Sequence, residues 1–302
     1  MSASADLPFV AAPPGPIESV TRSAELAARH WGFAEPALLR MGMNGIFTVG
    51  DGVLLRVSRP SAPPQEAISL AATLTRYGLR VPTYVRDAPH LTADHAVFAV
   101  AMIETAGAID WRAVGEMVAR LHLVPRSELP VAYPVPFGGD FPWWSFDALL
   151  GDVRAGLDPP AHSAIDAAIR RDLPLLNEQR GPGCVVCHGD VHPGNVIQSS
   201  SGPVLLDWDL LCTGPPAWDH APLMTWTRRW GGEPGIYEAF AQGMGQSLHD
   251  DPVAEAIAEL RLVAATLMRV RAALADPSAT PEAELRLKYW RGDIDAPMWH
   301  AQ

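Results

Sequence analysis

Lysine is almost absent from this sequence: of its 23 basic residues only Lys288 is a lysine, and the other 22 are arginines. Any mechanism that needs a lysine must therefore use Lys288 or do without one. Three cysteines are too few for a disulfide framework, so a cytoplasmic location is the default expectation. No apolar run reaches the roughly 18 residues that would indicate a membrane span. The Pro- and Ala-rich residues 1–16 lack the features of a signal peptide and predict a flexible arm.

Basic residues are also outnumbered by acidic ones, which gives a net charge of −11. Nucleic acids require clustered Lys and Arg to neutralise their phosphates, so this balance argues against such a partner. The length of 302 residues is sufficient for two domains or two lobes, each with its own core. We therefore expect a globular protein with no nucleic-acid and no membrane partner.

The first hundred residues predict a small sheet with one helix. Short apolar strands flank the turn signals Asn44-Gly45 and Asp51-Gly52, and helical spacing runs from Gln65 to Tyr77. Another apolar strand covers residues 96–103. From Asp110 onward the pattern becomes mainly helical, which makes the fold class α+β. The predicted boundary lies near 104–110, with a first lobe at 17–106 and a second at 107–302.

A twelve-residue segment, CVVCHGDVHPGN from Cys184 to Asn195, is compatible with three chemistries. Its Cys-x-x-Cys-His start spells a haem-attachment site, but no export signal is present and a strand would point the two sulfurs to opposite faces. A dinuclear metallophosphoesterase is a second interpretation, with Gly189-Asp190-x-His192 and later aspartates as ligands. That interpretation stays open as a minor alternative, because the other motifs of such enzymes lack the required spacing.

The third interpretation is a kinase catalytic loop. His188, Asp190 and Asn195 have its spacing, in which the aspartate orients the acceptor hydroxyl and takes its proton. Asn195 and Asp207 offer oxygen ligands of the kind that Mg²⁺ prefers. The segment between them predicts a hairpin turning at Ser199–Gly202, which would bring these two ligands side by side. His188, His192 and Asp209 are predicted to be accessory.

The combination of this loop with Leu-Leu-Asp207-Trp208-Asp209 resembles the aminoglycoside phosphotransferase and choline kinase-like family of small-molecule kinases. The resemblance implies a protein-kinase-like two-lobed fold, with a small N-terminal antiparallel sheet and a larger helical C-terminal lobe. It also implies that Asp219 buttresses the catalytic loop and that His122, at the end of a helix, is structural.

The resemblance further implies how the first lobe holds ATP, or alternatively GTP. The phosphate-binding lysine of the family is missing, so its role falls to Arg56, with Glu66 as the expected ion-pair partner. Asn44 and Gly45 would form a turn over the nucleotide. Met102, Glu104 and Thr105 would lie at the purine, in the segment that joins the lobes.

The function that follows is Mg²⁺-dependent transfer of the γ-phosphoryl group to a hydroxyl of a small molecule. An aminoglycoside-like or other amine-bearing acceptor is expected, because the second lobe offers carboxylates beside aromatic rings. The candidate acceptor residues are Asp140, Trp143, Trp144, Asp147 and Glu233. The missing lysine leaves a non-catalytic pseudokinase as the alternative. The protein is expected to be a monomer or a homodimer, and a role in antibiotic resistance is among the expectations.

Overall fold

The computed structural model describes residues 13–293 and 295–300 of the chain. Most of the predicted N-terminal arm, residues 1–12, lies outside this part. The chain divides into two compact units. The first unit comprises the described residues up to Asp110, together with Val124–Val135 and Asn195–Leu211; the second comprises Trp111–Leu123, Pro136–Gly194 and the described residues from Cys212 onward. The lobes predicted at 17–106 and 107–302 are continuous in sequence, whereas the first unit also includes two separate segments from the predicted second lobe.

The secondary structure is α+β, as predicted. The helices are α1 (Ile17–Trp31), α2 (Pro64–Arg76), α3 (Trp111–Leu121), α4 (Phe146–Val153), α5 (Pro159–Asn177), α6 (Ala217–Trp230), α7 (Ile236–Met244), α8 (Pro252–Ala275) and α9 (Thr280–Trp290). The strands are β1 (Ala37–Met41), β2 (Gly45–Thr48), β3 (Val53–Ser58), β4 (His90–Leu91), β5 (Ala96–Ala101), β6 (Val185–Cys187), β7 (Val196–Ser199), β8 (Gly202–Leu205) and β9 (Cys212–Gly214). Short 3₁₀ turns connect several of these elements.

The first unit contains a five-stranded antiparallel sheet in the order β1-β2-β3-β5-β4. Phe47, Leu55 and Ala99 are aligned across its three central strands and are buried together against α1. Successive side chains on a strand point to opposite faces, so Arg56 points away from this core. The sheet thus positions one guanidinium on the face opposite α1.

Helix α1 is an addition to the single helix expected in this region. It begins directly after the segment that the composition predicts to be a loose arm. Its buried face consists of small apolar residues at helical spacing, including Val20, Ala24 and Ala27. The prolines of this region all precede α1, and the spacing within the helix is of the kind that predicts a helix.

The second unit is mainly helical, with α8 at its centre in contact with α4, α5, α6 and α9. Helices α3 and α7 pack closely because both carry a glycine at their contact: a Cβ on Gly115 would lie 2.1 Å from the carbonyl oxygen of Phe240, and one on Gly243 would lie 2.0 Å from that of Arg112. Strands β6 and β9 form a two-stranded antiparallel ribbon in this unit. Among the described residues, none of the helices has both the length and the apolar character required to span a bilayer.

Candidate active site

The predicted catalytic loop follows β6 in the second unit, and its backbone is anchored by Asp219 of α6. The Asp219 carboxylate is fully buried and accepts hydrogen bonds from the backbone N–H of His188 at 3.0 Å and of Gly189 at 2.8 Å. Gly189 has a φ of 90°, a conformation that side-chain-bearing residues rarely adopt. The chain can therefore turn here and aim two successive N–H groups at one carboxylate.

A third hydrogen bond completes the environment of Asp219. His122, directly after α3, places its Nε2 3.0 Å from the Asp219 carboxylate. Burial opposes ionisation of Asp219, but the hydrogen bond from His122, the charges of His122 and His188 and the Gly189 N–H outweigh it, so its pKa is lowered. Asp219 and His122 thus have the supporting roles that the resemblance implied.

Asp190, the predicted catalytic residue, has both carboxylate oxygens engaged. One oxygen accepts a hydrogen bond from Nη2 of Arg261 in α8, and the other lies 3.3 Å from Nε2 of His192. Burial acts to raise the pKa of Asp190, but the charges of His192, Arg261 and His188 and the His192 hydrogen bond lower it below its ordinary value. Asp190 is therefore ionised at neutral pH. Such a carboxylate is better suited to orienting a hydroxyl than to removing its proton before transfer.

The orientation of His192 is fixed on two sides. Its Nδ1 accepts the Gly194 N–H at 3.1 Å, so the N–H of the ring that faces Asp190 is on Nε2. The ring stacks on Trp226 of α6, with centroids 4.9 Å apart and planes 12° apart, and Trp226 stacks in turn on Trp230. His192 therefore presents a defined N–H to the Asp190 carboxylate.

In the first unit, Arg56 forms its ion pairs with the two aspartates that follow β8. Its Nη2 lies 2.9 Å from Asp209 and 3.7 Å from Asp207. Burial acts to lower the pKa of Arg56, but these two carboxylates outweigh it and raise the pKa. The expected pair with Glu66 is wrong: Glu66 lies in the first turn of α2, and in the described part of the chain it forms no ion pair with Arg56. Asp209 takes the place that the sequence assigned to Glu66.

The predicted hairpin is present and brings Asn195 next to Asp207. Val196 faces Leu205 in the β7–β8 register, and the Leu206 N–H donates to the carbonyl oxygen of Asn195 at 2.8 Å. Asp207 adopts a left-handed conformation, with φ 56° and ψ 71°, which is strained for a non-glycine residue. An amide oxygen and a carboxylate on adjacent backbone segments are a donor set that suits a hard cation such as Mg²⁺.

The other predicted nucleotide residues also lie in the first unit. Met102 and Glu104 follow β5 and line a cavity of about 390 Å³, together with Arg80 and the hairpin turn at 199–201. Thr105 is not among its lining residues.

Asn44 and Gly45 form the turn between β1 and β2, where the Gly42 N–H donates to the carbonyl oxygen of Asn44 at 3.1 Å. The Oδ1 atom of Asn44 is buried and has no hydrogen-bond partner in the described part of the chain.

Of the five predicted acceptor residues, three are buried or engaged in contacts within the second unit, and two are exposed. Trp144 is a correction: it is buried against Trp218, with ring centroids 4.7 Å apart, because a 3₁₀ turn folds it into the core. Asp140 forms a two-point ion pair with Arg180, and Trp143 stacks on Phe141. Only two of the five are exposed and outside these contacts: Asp147, in the first turn of α4, and Glu233, just after α6.

Sequence reasoning missed Arg261. It lies 71 residues after Asp190 in an ordinary helical stretch, and no motif marks it. Its position among the arginines of α8 gives no local signal of a contact with the loop.

Similarity to known proteins agrees with this geometry. A sequence model of the phosphotransferase enzyme family matches residues 48–263, more than two thirds of the chain. The protein belongs to this family. No curated protein matches the chain.

Three solved structures illustrate the shared fold. A spectinomycin phosphotransferase in complex with ADP and spectinomycin is 15% identical, covers 93% of this chain and 96% of its own, and has a TM-score of 0.66. An aminoglycoside 2′-phosphotransferase-IIIa in complex with GDP is 13% identical, with coverages of 91% and 99% and a TM-score of 0.70. A choline/ethanolamine kinase family protein from Mesorhizobium loti is 18% identical, with coverages of 91% and 94% and a TM-score of 0.64. The protein is thus a small-molecule kinase with a protein-kinase-like fold.

Proposed function

We propose that this phosphotransferase moves the γ-phosphoryl group of ATP or GTP to a hydroxyl of a small molecule, with Mg²⁺ as cofactor and Asp190 as the catalytic residue. The observation that carries the proposal is the hydrogen bond from the Leu206 N–H to the Asn195 carbonyl oxygen, since it brings the backbone of Asn195 close to that of Asp207 at the open end of one hairpin. Asn195 ends the predicted catalytic loop and Asp207 follows it, and both lie within the residues that the family model matches.

Asp190 is suited to orient the acceptor hydroxyl. Its carboxylate is held by Arg261 and His192, and a carboxylate can accept about four hydrogen bonds, so these contacts are compatible with a further one. In phosphoryl transfer of the kinase type, the alcohol O–H points at such a carboxylate while its oxygen attacks phosphorus. The proton passes to the carboxylate as the oxygen–phosphorus bond forms and the nucleoside diphosphate leaves.

Mg²⁺ would be held by Asn195 and Asp207 and would neutralise charge on the transferring phosphates. Asp207 is accessible to such an ion, because 44% of its side chain is exposed. Tyr133 supports the turn next to Asp207, since its hydroxyl donates to the carbonyl oxygen of Trp208 at 3.0 Å.

Arg56 takes the role of the missing lysine. A guanidinium keeps its charge and can bind two phosphate oxygens at once. Its pairs with Asp209 and Asp207 keep it on the face of the sheet opposite α1. The simultaneous presence of Asp190, Asn195 and Asp207 favours the enzyme over a pseudokinase, because a binding-only protein does not need all three.

The nucleotide and the acceptor are proposed from separate observations. Solved neighbours hold ADP, with spectinomycin, or GDP, which supports a purine nucleotide as donor. The amine-bearing acceptor predicted from the sequence has less support, since Trp144 is buried and Asp140 is paired with Arg180. Asp147 and Glu233 are the carboxylates of that set that still suit an amine.

The test compares phosphoryl transfer by the wild type and by Asp190→Asn. Purified protein is given MgATP or MgGTP and a panel of aminoglycosides, amino sugars, choline, homoserine and neutral sugars, and phosphorylated product is detected by mass spectrometry. We expect kcat of Asp190→Asn to fall about 10³-fold with an unchanged fold. Asp166→Asn, the same change at a surface ion pair of α5 in the same unit, is the control and should keep full activity. Near-normal turnover by Asp190→Asn would refute the assignment.

A further inference from the structure

Arg261 is the side chain of α8 that reaches the catalytic loop at two points. Its Nη1 donates to the carbonyl oxygen of Gly189 at 2.9 Å, and its Nη2 donates to the Asp190 carboxylate. The guanidinium is planar and rigid, so contact with a backbone atom and a neighbouring side chain fixes the position of one relative to the other. A single hydrogen bond would leave the carboxylate free to rotate about its own bonds.

The loop therefore has separate supports for its backbone and for its functional group. Asp219 binds the N–H groups of His188 and Gly189 and holds the chain in its turn. The Asp219 carboxylate is thus engaged with the loop backbone and with His122, and it constrains the chain rather than the rotamer of Asp190. Arg261 and His192 both contact the Asp190 carboxylate itself.

Of these two contacts, the one with Arg261 is the stronger constraint. The His192 contact is longer, at 3.3 Å, and His192 belongs to the same loop, so both can move together. Arg261 belongs to a 24-residue helix at the centre of the second unit, and only 20% of its side chain is exposed. A rigid element is thereby connected directly to the reacting group.

We propose, on the basis of the proposed function, that Arg261 is a positioning residue: it holds the Asp190 carboxylate in the orientation that receives the acceptor hydroxyl. It does not touch the acceptor or the nucleotide in this role. A consequence concerns the acceptor. Because the charge of Asp190 is offset by Arg261, Asp190 attracts an acceptor ammonium group weakly, and any such group must be recognised elsewhere.

The first arm of the test measures Asp190 directly and does not depend on turnover. With ¹³C-carboxyl aspartate, the Asp190 signal is assigned by its loss in Asp190→Asn and followed against pH in wild type, Arg261→Gln and Arg261→Lys. The charged groups that face this carboxylate are His192, His188 and Arg261. Loss of the guanidinium should raise the titration midpoint by about one pH unit, and lysine should restore part of the difference. An unchanged midpoint in Arg261→Gln would overturn the proposal.

The second arm measures catalysis with the acceptor found in the screen. For Arg261→Gln we expect about a tenfold loss in kcat with an unchanged KM for MgATP. The acidic limb of the kcat profile should move to higher pH, because the ionised form of Asp190 is required. Arg271→Gln is the matched control: it removes an arginine from the exposed side of the same helix, where Arg271 lies 4.0 Å from Asp152. A merely structural role of Arg261 would lower the melting temperature and leave the acidic limb in place.

The acceptor consequence is tested with glucosamine and N-acetylglucosamine, which differ in one positive charge. The kcat/KM for glucosamine, divided by that for N-acetylglucosamine, should be higher in Arg261→Gln than in the wild type. Failure of the wild type to phosphorylate any alcohol would count against the proposed function, whereas the carboxyl titration would still decide the role of Arg261. If the wild type transferred the phosphoryl group and Arg261→Gln did so with the same kcat, the positioning role would be refuted and the proposed function would stand.

Discussion

The functional residues of the two units are supported in different ways. In the second unit, the predicted catalytic loop is held by charged side chains on distant helices, namely the buried Asp219 on α6 and the partly buried Arg261 on α8. In the first unit, Asn195 and Asp207 are held by one short hairpin and lie near an arginine on a strand. The hairpin depends on local sequence, whereas the supports of the loop depend on tertiary packing. A local motif therefore predicts the arrangement of the proposed metal ligands more completely than it predicts the environment of Asp190, the proposed catalytic residue.

The largest effect on stability is expected from Asp219→Asn. The amide would turn an N–H₂ group toward donors that now point at a buried carboxylate, so donors would be left without acceptors. We expect a loss of about 3 kcal/mol in the free energy of unfolding and about a hundredfold decrease in kcat from misplacement of the loop. Urea unfolding and steady-state kinetics measure both.

Asp166→Asn is again the control for this change, because Asp166 forms a surface pair with Arg170 within α5. It should alter neither quantity, since exposed ion pairs contribute little. If Asp219→Asn unfolded at the same urea concentration as Asp166→Asn, the buried support of the loop would be unimportant and the contrast between the units would fail.

The fold is largely predictable from the sequence because its elements have clear local signals. Apolar spacing and turn residues predict the helix from Gln65, the strand at 96–103 and a mainly helical chain from Asp110 onward, and the structure contains α2, β5 and helices α3–α9 there. Helix α1 is not predicted, although its buried residues Val20, Ala24 and Ala27 recur at helical spacing.

The site is predictable where its geometry is local. The hairpin between Asn195 and Asp207 consists of two strands and a Ser/Gly turn, so consecutive residues of the sequence are sufficient to predict it. The resemblance predicts Glu66 as the ion-pair partner of Arg56, whereas the observed partner is Asp209, two residues after the proposed metal ligand Asp207. Arg261 cannot be found in this way, because nothing in a helical sequence states which distant carboxylate a particular arginine will meet.

The pH dependence of stability should also distinguish the units. His220, beside Asp219 in α6, is buried, and its burial lowers its pKa to about 4 from the ordinary 6.5. The unfolded chain therefore binds more protons than the folded one between pH 6.5 and 4, and stability falls as the pH falls through this window. At pH 5.5 we expect a loss of about 1.4 kcal/mol relative to pH 8.

Hydrogen exchange can locate this loss. The amides of α6 and α7 should lose protection at pH 5.5 before those of the first-unit sheet, because Tyr237 of α7 lies 3.3 Å from the His220 ring. His220→Leu should remove most of the pH dependence between 4 and 6.5. A simultaneous loss of protection in both units would show that the loss does not start around His220.

The smallest effect is expected from Glu66→Gln in the first unit. Glu66 does not pair with Arg56 in the described part of the chain, so its replacement should change the KM for MgATP less than twofold. Asp209→Asn is the matched comparison, because it removes the carboxylate 2.9 Å from Arg56 and should raise this KM about tenfold. Each change replaces one carboxylate by an amide of the same shape, so the two variants differ in whether an ion pair with Arg56 is broken. If Glu66→Gln raised the KM for MgATP more than Asp209→Asn did, Arg56 would exchange ion-pair partners when nucleotide binds. The first unit, like the second, would then depend on packing that its local sequence does not reveal.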